Sequence, residues 1–364
     1  MIDIKNLKFT NLIKTNTKLI TLISVLLAMA VLTSCSTPSV TQNNSSDTSE
    51  NSSSSAVTPY ANRTLVKIAT LKGPTGMGMV KMISDNEEKI TSNRYEVNIV
   101  GAPDEIVGKI STGEIDIAAV PTNLAATLYN KTNGGVQILA INTLGVLNIL
   151  EKGDTIKNIS DLKGKTIVTS GKGASPEFIL NYLLEQNGID PEKDLTIEYK
   201  SEHSEVMTLA LSGKADIVML PEPFVTTALS KSEDFRNALD LTEEWAKVTE
   251  KIGVEGSVLA MGCVVVRKEF AQENEQAVND FLNEYNNSIN FTNSSQSQAA
   301  DLIAKYEIIP SAALAKMAIP NSNITFVEGL EMKNQISNLY DVLFLADPKS
   351  IGGKMPESDF YYIR

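Results

Sequence analysis

The sequence predicts an α/β protein built as two similar lobes with mostly parallel sheets, and three observations carry this. The segment GEIDIAAVPTNL at 113–124 recurs as GKADIVMLPEPF at 213–224. Gly113 answers Gly213, Asp116 answers Asp216, Ile117 answers Ile217 and Pro121 answers Pro221, at one constant offset. Each copy reads as helix end, glycine, acidic residue, short apolar strand, proline and next helix. A repeat at that distance is too long for a solenoid and suits two related lobes. Short apolar strands also alternate with helical stretches, which marks βαβ units. Finally, 364 residues exceed the usual size of a single hydrophobic core. Two lobes imply a cleft between them, and clefts are where small molecules bind.

Composition narrows the function. The net charge of −12 argues against nucleic acid or an anionic membrane surface as partner. There is one histidine, His203, and there are two cysteines, Cys35 and Cys263. These are too few for a Cys/His metal cluster, and no Cys-His or Ser-His catalytic set is expected.

The chain opens with Lys5, Lys8, Lys14 and Lys18, followed by an apolar run from Leu19 to Leu32. The run is short for a membrane span and suits a signal-peptide core. It ends in Leu32-Thr33-Ser34-Cys35, which looks like a bacterial lipobox. Residues 1–34 are therefore expected to be a lipoprotein signal peptide, with Cys35 lipidated and the protein anchored to a membrane rather than spanning it. Residues 35–62 are rich in Ser, Thr and Asn and are expected to form a disordered tether. Cys263, in the apolar run Leu259–Val266, is expected to fill core space.

The first lobe begins with the strand Leu65–Leu71. The loop Lys72-Gly73-Pro74-Thr75-Gly76-Met77-Gly78-Met79 follows and leads into a helix ending near Ile90. Glycines there allow a ligand close to the backbone, and Thr75 is a candidate N-cap. This is not a dinucleotide fingerprint, because Lys81 stands where the third glycine belongs. A strand at Tyr95–Val100, a helix from Pro103 to Ser111, the first repeat copy and a strand at Val136–Asn142 complete the series.

In the second lobe, Gly164-Lys165-Thr166 is no phosphate-binding loop: it precedes a strand, and Ile159 stands where a glycine is required. The loop Ser170-Gly171-Lys172-Gly173-Ala174-Ser175-Pro176 follows the strand Ile167–Thr169. Ser175 as N-cap and Pro176 in the first turn open a helix that Gly188 closes. Each lobe thus offers helix starts whose backbone N–H groups can grip polar or anionic groups. Lys72 and Lys172 could add charge. The second repeat copy ends in Glu222-Pro223-Phe224 where the first has Thr122-Asn123-Leu124. Glu222 either faces the cleft, disfavouring a bare anion, or supports its helix start from the surface. Phe224 either stacks on a ring or packs in the core. A strand at Ser257–Val266 and helices at Lys268–Ile289, Ser297–Tyr306 and Gly329–Leu345 are expected to return to the first lobe. Crossings near Ile149–Gly153 and Lys251–Gly256 would form a hinge.

In this order, the lipobox, LKGPTGMGM, GEIDIAAVPTN, DLKGKTIVTSGKGASPEF and GKADIVMLPEPF resemble the extracytoplasmic solute-binding proteins of ABC importers, over about Leu65 to Leu345. The likeness is to the nitrate/sulfonate/taurine-type group, which includes thiamine-precursor-binding relatives. It implies a two-lobed periplasmic-binding-protein-like fold (type II) with mixed, mostly parallel sheets and a hinge of two crossovers. The first lobe would be 63–150 plus 256–364, and the second 151–255. It implies a non-enzymatic monomer without cofactor that captures a small organic molecule and delivers it to the transmembrane subunits of an ABC permease. The ligand residues it implies are Lys72, Gly73, Thr75, Gly76 and Met77; Thr122 and Asn123; Ser170, Gly173, Ala174 and Ser175; and Glu222, Pro223 and Phe224. Two alternatives remain: an enzyme of thiamine-pyrimidine synthesis, whose cofactor lysine, histidines and cysteine-rich motif are missing here, and a surface adhesin or sensor reusing the fold.

Overall fold

The structure is a computed structural model that describes residues 58–364. The signal peptide, Cys35 and most of the expected tether lie outside the described residues. No described helix is long and apolar enough to cross a membrane.

The strands are β1 (Leu65–Leu71), β2 (Arg94–Val100), β3 (Ile117–Pro121), β4 (Val136–Thr143), β5 (Leu147–Lys152), β6 (Thr166–Ser170), β7 (Thr196–Lys200), β8 (Ile217–Pro221), β9 (Phe235–Asp240), β10 (Gly262–Arg267) and β11 (Ile324–Glu328). The helices are α1 (Pro74–Met77), α2 (Val80–Glu87), α3 (Asp104–Ser111), α4 (Thr122–Lys131), α5 (Ser175–Gln186), α6 (His203–Leu211), α7 (Phe224–Lys231), α8 (Leu241–Lys251), α9 (Lys268–Glu273), α10 (Glu275–Ser294), α11 (Gln296–Lys305), α12 (Ala312–Ala318) and α13 (Gly329–Ala346). They build a six-stranded sheet, β11-β4-β10-β3-β1-β2, and a five-stranded sheet, β7-β6-β8-β5-β9.

Both sheets are mixed. Pairing is parallel where βαβ units run, β1 with β2 and β3, and β6 with β7 and β8. It is antiparallel where the chain passes between sheets, at β10, β4 and β11 and at β5, β8 and β9. Alternation along the sequence reveals the first kind of pairing and is blind to the second.

The repeat occupies equivalent places in the two sheets. β3 lies between parallel β1 and antiparallel β10, and β8 between parallel β6 and antiparallel β5. Pro121 faces Gly262, the first residue of β10, and Pro221 faces Leu147, the first residue of β5. Proline has no N–H, so the next residue donates in its place. Thr122 N–H donates to the Met261 carbonyl at 3.2 Å and Glu222 N–H to the Val146 carbonyl at 2.9 Å. Each connection between the sheets therefore lands beside one proline of the repeat.

This corrects the expected crossing at Ile149–Gly153. Ile149–Lys152 lies within β5, and Leu147–Leu150, grouped by sequence with the first lobe, belongs to the second sheet. The chain passes between sheets at Leu144-Gly145-Val146. Asn323 holds that segment from both sides: its carbonyl accepts from Leu144 N–H at 3.0 Å, and its Nδ2 donates to the Gly145 carbonyl at 2.6 Å. A Cβ on Gly145 would stand 2.2 Å from Thr242 Oγ1, so only glycine passes there without displacement.

The return differs too. Ser257–Met261 makes no ladder, and β10 begins at Gly262. Ser257 Oγ instead accepts from Trp245 Nε1 at 3.2 Å and from Asn338 Nδ2 at 3.3 Å, so α8 and α13 clasp the returning chain. The expected helix at 268–289 is two helices broken at Asn274. On α10, Ala277, Val278, Phe281, Leu282, Tyr285 and Ile289 form a buried stripe at helical spacing. Sealing Phe281 or Leu282 in this way contributes roughly 2 kcal/mol each. α13 packs against both β4 and α5, joining the two sheets through Leu339 and Leu343.

Candidate functional site

A cavity of about 520 Å³ lies between the sheets. Its walls come mainly from residues just past the carboxyl ends of strands: Thr75 after β1, Thr122 and Asn123 after β3, Ser175 after β6 and His203 after β7. This is where open α/β sheets place ligands. Pro121 and Pro221, the repeat prolines, both line it, as do Val146, Ala260 and Met261 of the two connections.

Three helices of eight or more residues begin at this wall: α4 at Thr122, α5 at Ser175 and α6 at His203. None of them is capped by a side chain among the described residues. Most other described α-helices also lack a side-chain cap, α8 with Asp240 and α12 with Ser311 being the exceptions, so what sets α4, α5 and α6 apart is that they start at one cavity. First-turn N–H groups left without a cap carry partial positive charge and seek acceptors. Thr122 adds a second polar group. It is 2% exposed, it lines the cavity, and its Oγ1 has no oxygen or nitrogen partner; the buried Cys263 thiol is its polar neighbour. Cys263 itself is core filler, with burial pushing its thiol well up.

The wall is otherwise apolar, with Leu124, Ile179, Leu339 and Leu343 among its residues. Among the described residues no Lys, Arg, Asp or Glu lines it. Lys72 and Lys172, the sequence's candidate charges, are exposed, and Lys172 Nζ lies 5.7 Å from the Tyr199 ring centre.

The other sequence candidates separate clearly. Thr75, Thr122, Asn123, Ala174 and Ser175 come together at the cavity. Gly73, Gly76 and Met77 do not line it. Gly73 precedes α1 at φ 85°, Gly76 is packed where a Cβ would meet the Leu71 carbonyl oxygen at 2.2 Å, and Met77 is fully buried in the core. Gly173 is exposed, and Ser170 lies just behind the wall at 2% exposure. Thr75 is not an N-cap, because α1 starts one residue earlier at Pro74. Ser175 is the first helical residue and Ala174 the cap position, so the helix starts one residue before the serine signal suggests.

Glu222, Pro223 and Phe224 do not line the cavity. Glu222 is 3% exposed, and its Oε2 accepts from Thr226 N–H at 3.2 Å, steadying the start of α7. Burial pushes its carboxyl up to about 7, and the bonds from Thr226 offset this only in part. Phe224 packs against the His203 ring at 5.5 Å.

His203 is the residue that sequence reasoning missed. It lines the cavity, and its Nδ1 is 2.5 Å from Ser170 Oγ. Its only sequence signal is position: it opens the helix after a strand, like every other wall residue of this kind. A serine and a histidine do meet here, which the sequence did not signal. They are not a nucleophile and base, however. Ser170 is sealed behind the wall, and no carboxylate bonds the ring among the described residues. Burial pushes the imidazole below its usual value, while Glu202 acts in the opposite sense.

Comparisons with known proteins fit this geometry. A family model described as ABC transporter, phosphonate, periplasmic substrate-binding protein matches residues 87–310. A search of curated protein sequences finds no match. Among solved structures, an ABC transporter from Parabacteroides distasonis is similar at 21% identity, covering 82% of this chain and 99% of that one, with a TM-score of 0.69. The periplasmic aliphatic sulphonate-binding protein of Escherichia coli is similar at 17% identity, with 82% and 92% covered and a TM-score of 0.64. The periplasmic nitrate-binding protein of Synechocystis PCC 6803 follows at 13%, with 82% and 84% covered and a TM-score of 0.52. At these identities the likeness is one of fold.

Proposed function

Because the chain belongs to the periplasmic substrate-binding proteins of ABC transporters, we propose that it captures a small organic molecule in the cleft between its two sheets and delivers it to an ABC importer permease. One observation carries the reading: helix starts from both sheets, without side-chain caps, meet at one cavity of about 520 Å³ beside both connections. A ligand bearing acceptor atoms satisfies first-turn N–H groups on α4 from one sheet and on α5 and α6 from the other. Contacting both halves, it favours the closed arrangement over the open one. Leu144–Val146 and Ser257–Met261 would act as the hinge, with the halves of the molecule to either side of them.

The apolar remainder of the wall suits an organic body attached to that polar end. Lipidation at Cys35 would hold the protein at the outer face of the cell membrane, with the Ser/Asn/Thr-rich segment as tether. The chemistry of the wall suits binding without turnover: its polar groups are hydroxyls, an amide and one imidazole, and the Ser170 hydroxyl is out of reach of the cavity.

The test is a thermal-shift screen of alkylsulfonates, phosphonates, nitrate, pyrimidines and flavins. A ligand present at 100 times its dissociation constant stabilises the folded state by about 2.7 kcal/mol. A member that raises the melting temperature in proportion to the logarithm of its concentration supports the reading. Turnover of a candidate without such stabilisation would replace it.

A further inference from the structure

We propose that Asn142 is a positioning residue for the ligand wall: a β-bulge turns its buried amide to the back of the wall, where it fixes the Thr75 turn against the end of β4. The inference rests on the binding-protein reading above and goes beyond it in naming what holds one side of the cleft in shape without touching the ligand.

Asn142 lies within β4, yet neither neighbouring strand pairs with it. On one side β10 sets Gly262 against Thr143 and Cys263 against Ile141. On the other, β11 sets Ile324 against Thr143 and Val327 against Ile141. Irregularities of this kind re-aim a side chain and are frequent beside functional sites. The re-aimed side chain is 1% exposed and does not line the cavity. The facing strand makes room for it: a Cβ on Gly262 would stand 2.6 Å from Asn142 Oδ1. Gly262 has no positive φ that calls for glycine, so clearance for the amide is what it provides.

Both ends of the amide are used. Nδ2 donates to the Thr75 carbonyl at 3.3 Å and to the Tyr285 hydroxyl at 2.9 Å, and Oδ1 accepts from the Thr143 hydroxyl at 3.0 Å. A carbonyl can only accept, so the Thr75 bond decides which amide atom faces it. Thr75 and Thr143 both line the cavity, whereas Tyr285 stands behind it on α10, fully buried and stacked on Phe281 at 5.4 Å. One buried side chain thus ties two parts of the wall to the helix behind them. The tie matters because α1 is a single turn of four residues, which is not stable by itself. Its other holds lie to either side of Thr75. Gly73 N–H donates to the Ile308 carbonyl at 3.2 Å, and Thr292 Oγ1 donates to the Met77 carbonyl at 3.3 Å. Without Asn142, the part of the turn that meets the cavity loses its own anchor.

Three variants test this. Asn142→Leu keeps a branched side chain and makes none of the three bonds, Gly262→Ala pushes the amide from the strand side, and Tyr285→Phe keeps the ring and removes one partner. Amide hydrogen exchange, read by mass spectrometry, needs no ligand. In Asn142→Leu, exchange over residues 74–79 should rise about fivefold or more, the size of one net hydrogen bond, while β2 and the second sheet stay as in the wild type. The binding arm uses hexane-1-sulfonate, methylphosphonate and any other member of the screen that binds. A probe that binds the wild type should bind Asn142→Leu about fivefold or more weakly, and the other two variants more weakly in the order in which their exchange rises. A residue of merely structural value would lower the melting temperature and leave the affinity of the folded protein where it was. If Asn142→Leu does not fold, Gly262→Ala and Tyr285→Phe carry both arms. Unchanged exchange at 74–79, a rise spread evenly over the first sheet, or unchanged affinity overturns this inference and leaves the binding-protein reading standing. If nothing in the screen binds the wild type, that reading falls and takes with it the role of Asn142 toward a ligand.

Discussion

Glu222→Gln tests the buried carboxylate most sharply. In the folded protein burial holds Glu222 at about 7, against an ordinary value of 4.5. The folded state therefore binds this proton more tightly than the unfolded state does. Stability is fully present below about pH 4.5 and is lost as pH rises to about 7. At 1.36 kcal/mol per unit, that separation amounts to about 3 kcal/mol at pH 8. Glutamine keeps an oxygen for Thr226 N–H and carries no charge to bury. The variant should match the wild type near pH 4.5 and exceed it by about 3 kcal/mol above pH 7, or roughly 5 °C in melting temperature for a chain of this size. Melting curves of both proteins from pH 4.5 to 8.5 read this directly. Equal slopes with pH, or a variant less stable at pH 8, would refute the assignment of a carboxylate destabilised by burial.

Two further outcomes follow from the same structure and a third from the lipobox. Burial acts to raise Glu151, but bonds from the Thr155 hydroxyl at 2.6 Å, the Thr155 and Ile156 N–H groups and Arg236 outweigh it and hold the carboxyl at about 2. Its stabilisation is present above pH 4.5 and lost as pH falls toward 2, so Glu151→Gln should cost about 3 kcal/mol at pH 7 in chemical denaturation, with the gap closing in acid. Gly145→Ala places a methyl 2.2 Å from Thr242 Oγ1 and should cost about 1–3 kcal/mol, partly restored by Thr242→Ala in a double-mutant cycle. Cys35→Ala should release the protein from membranes in fractionation with its melting temperature unchanged; retention on the membrane would count against lipidation.

Much of the scaffold was legible because it is written locally. The repeat around Pro121 and Pro221 is a strand-to-turn pattern that each lobe must satisfy on its own, and the structure places both copies in equivalent registers. The connections were not legible in the same way. Leu147–Leu150 is an apolar run like any strand, and nothing in it says which sheet it joins; that is decided by pairing with β8, some 70 residues on. The helix start at Thr75 was missed by one residue because Pro74, with its φ already helical, opens the helix ahead of the hydroxyl; at Ser175 the helix also begins one residue early, with Ala174 at the cap. The site was half legible. Residues at strand-to-helix turns were found where glycine or proline advertised the turn. His203 has no such neighbour, and its partner Ser170 stands 33 positions away. Glu222 shows the opposite failure: its charge drew attention to the cleft, while its geometry turns it to the start of α7.

On the proposed reading one small molecule is held in the cavity between the sheets. Ser175 stands on the wall at the first residue of α5, where tryptophan would fill the space without replacing core. Isothermal titration of the wild type and Ser175→Trp with the strongest ligand of the screen measures the claim directly. One site per chain is expected in the wild type and a loss of about a hundredfold or more in the variant, in line with an obstructed pocket. Unchanged affinity in Ser175→Trp would place the ligand elsewhere and contradict it.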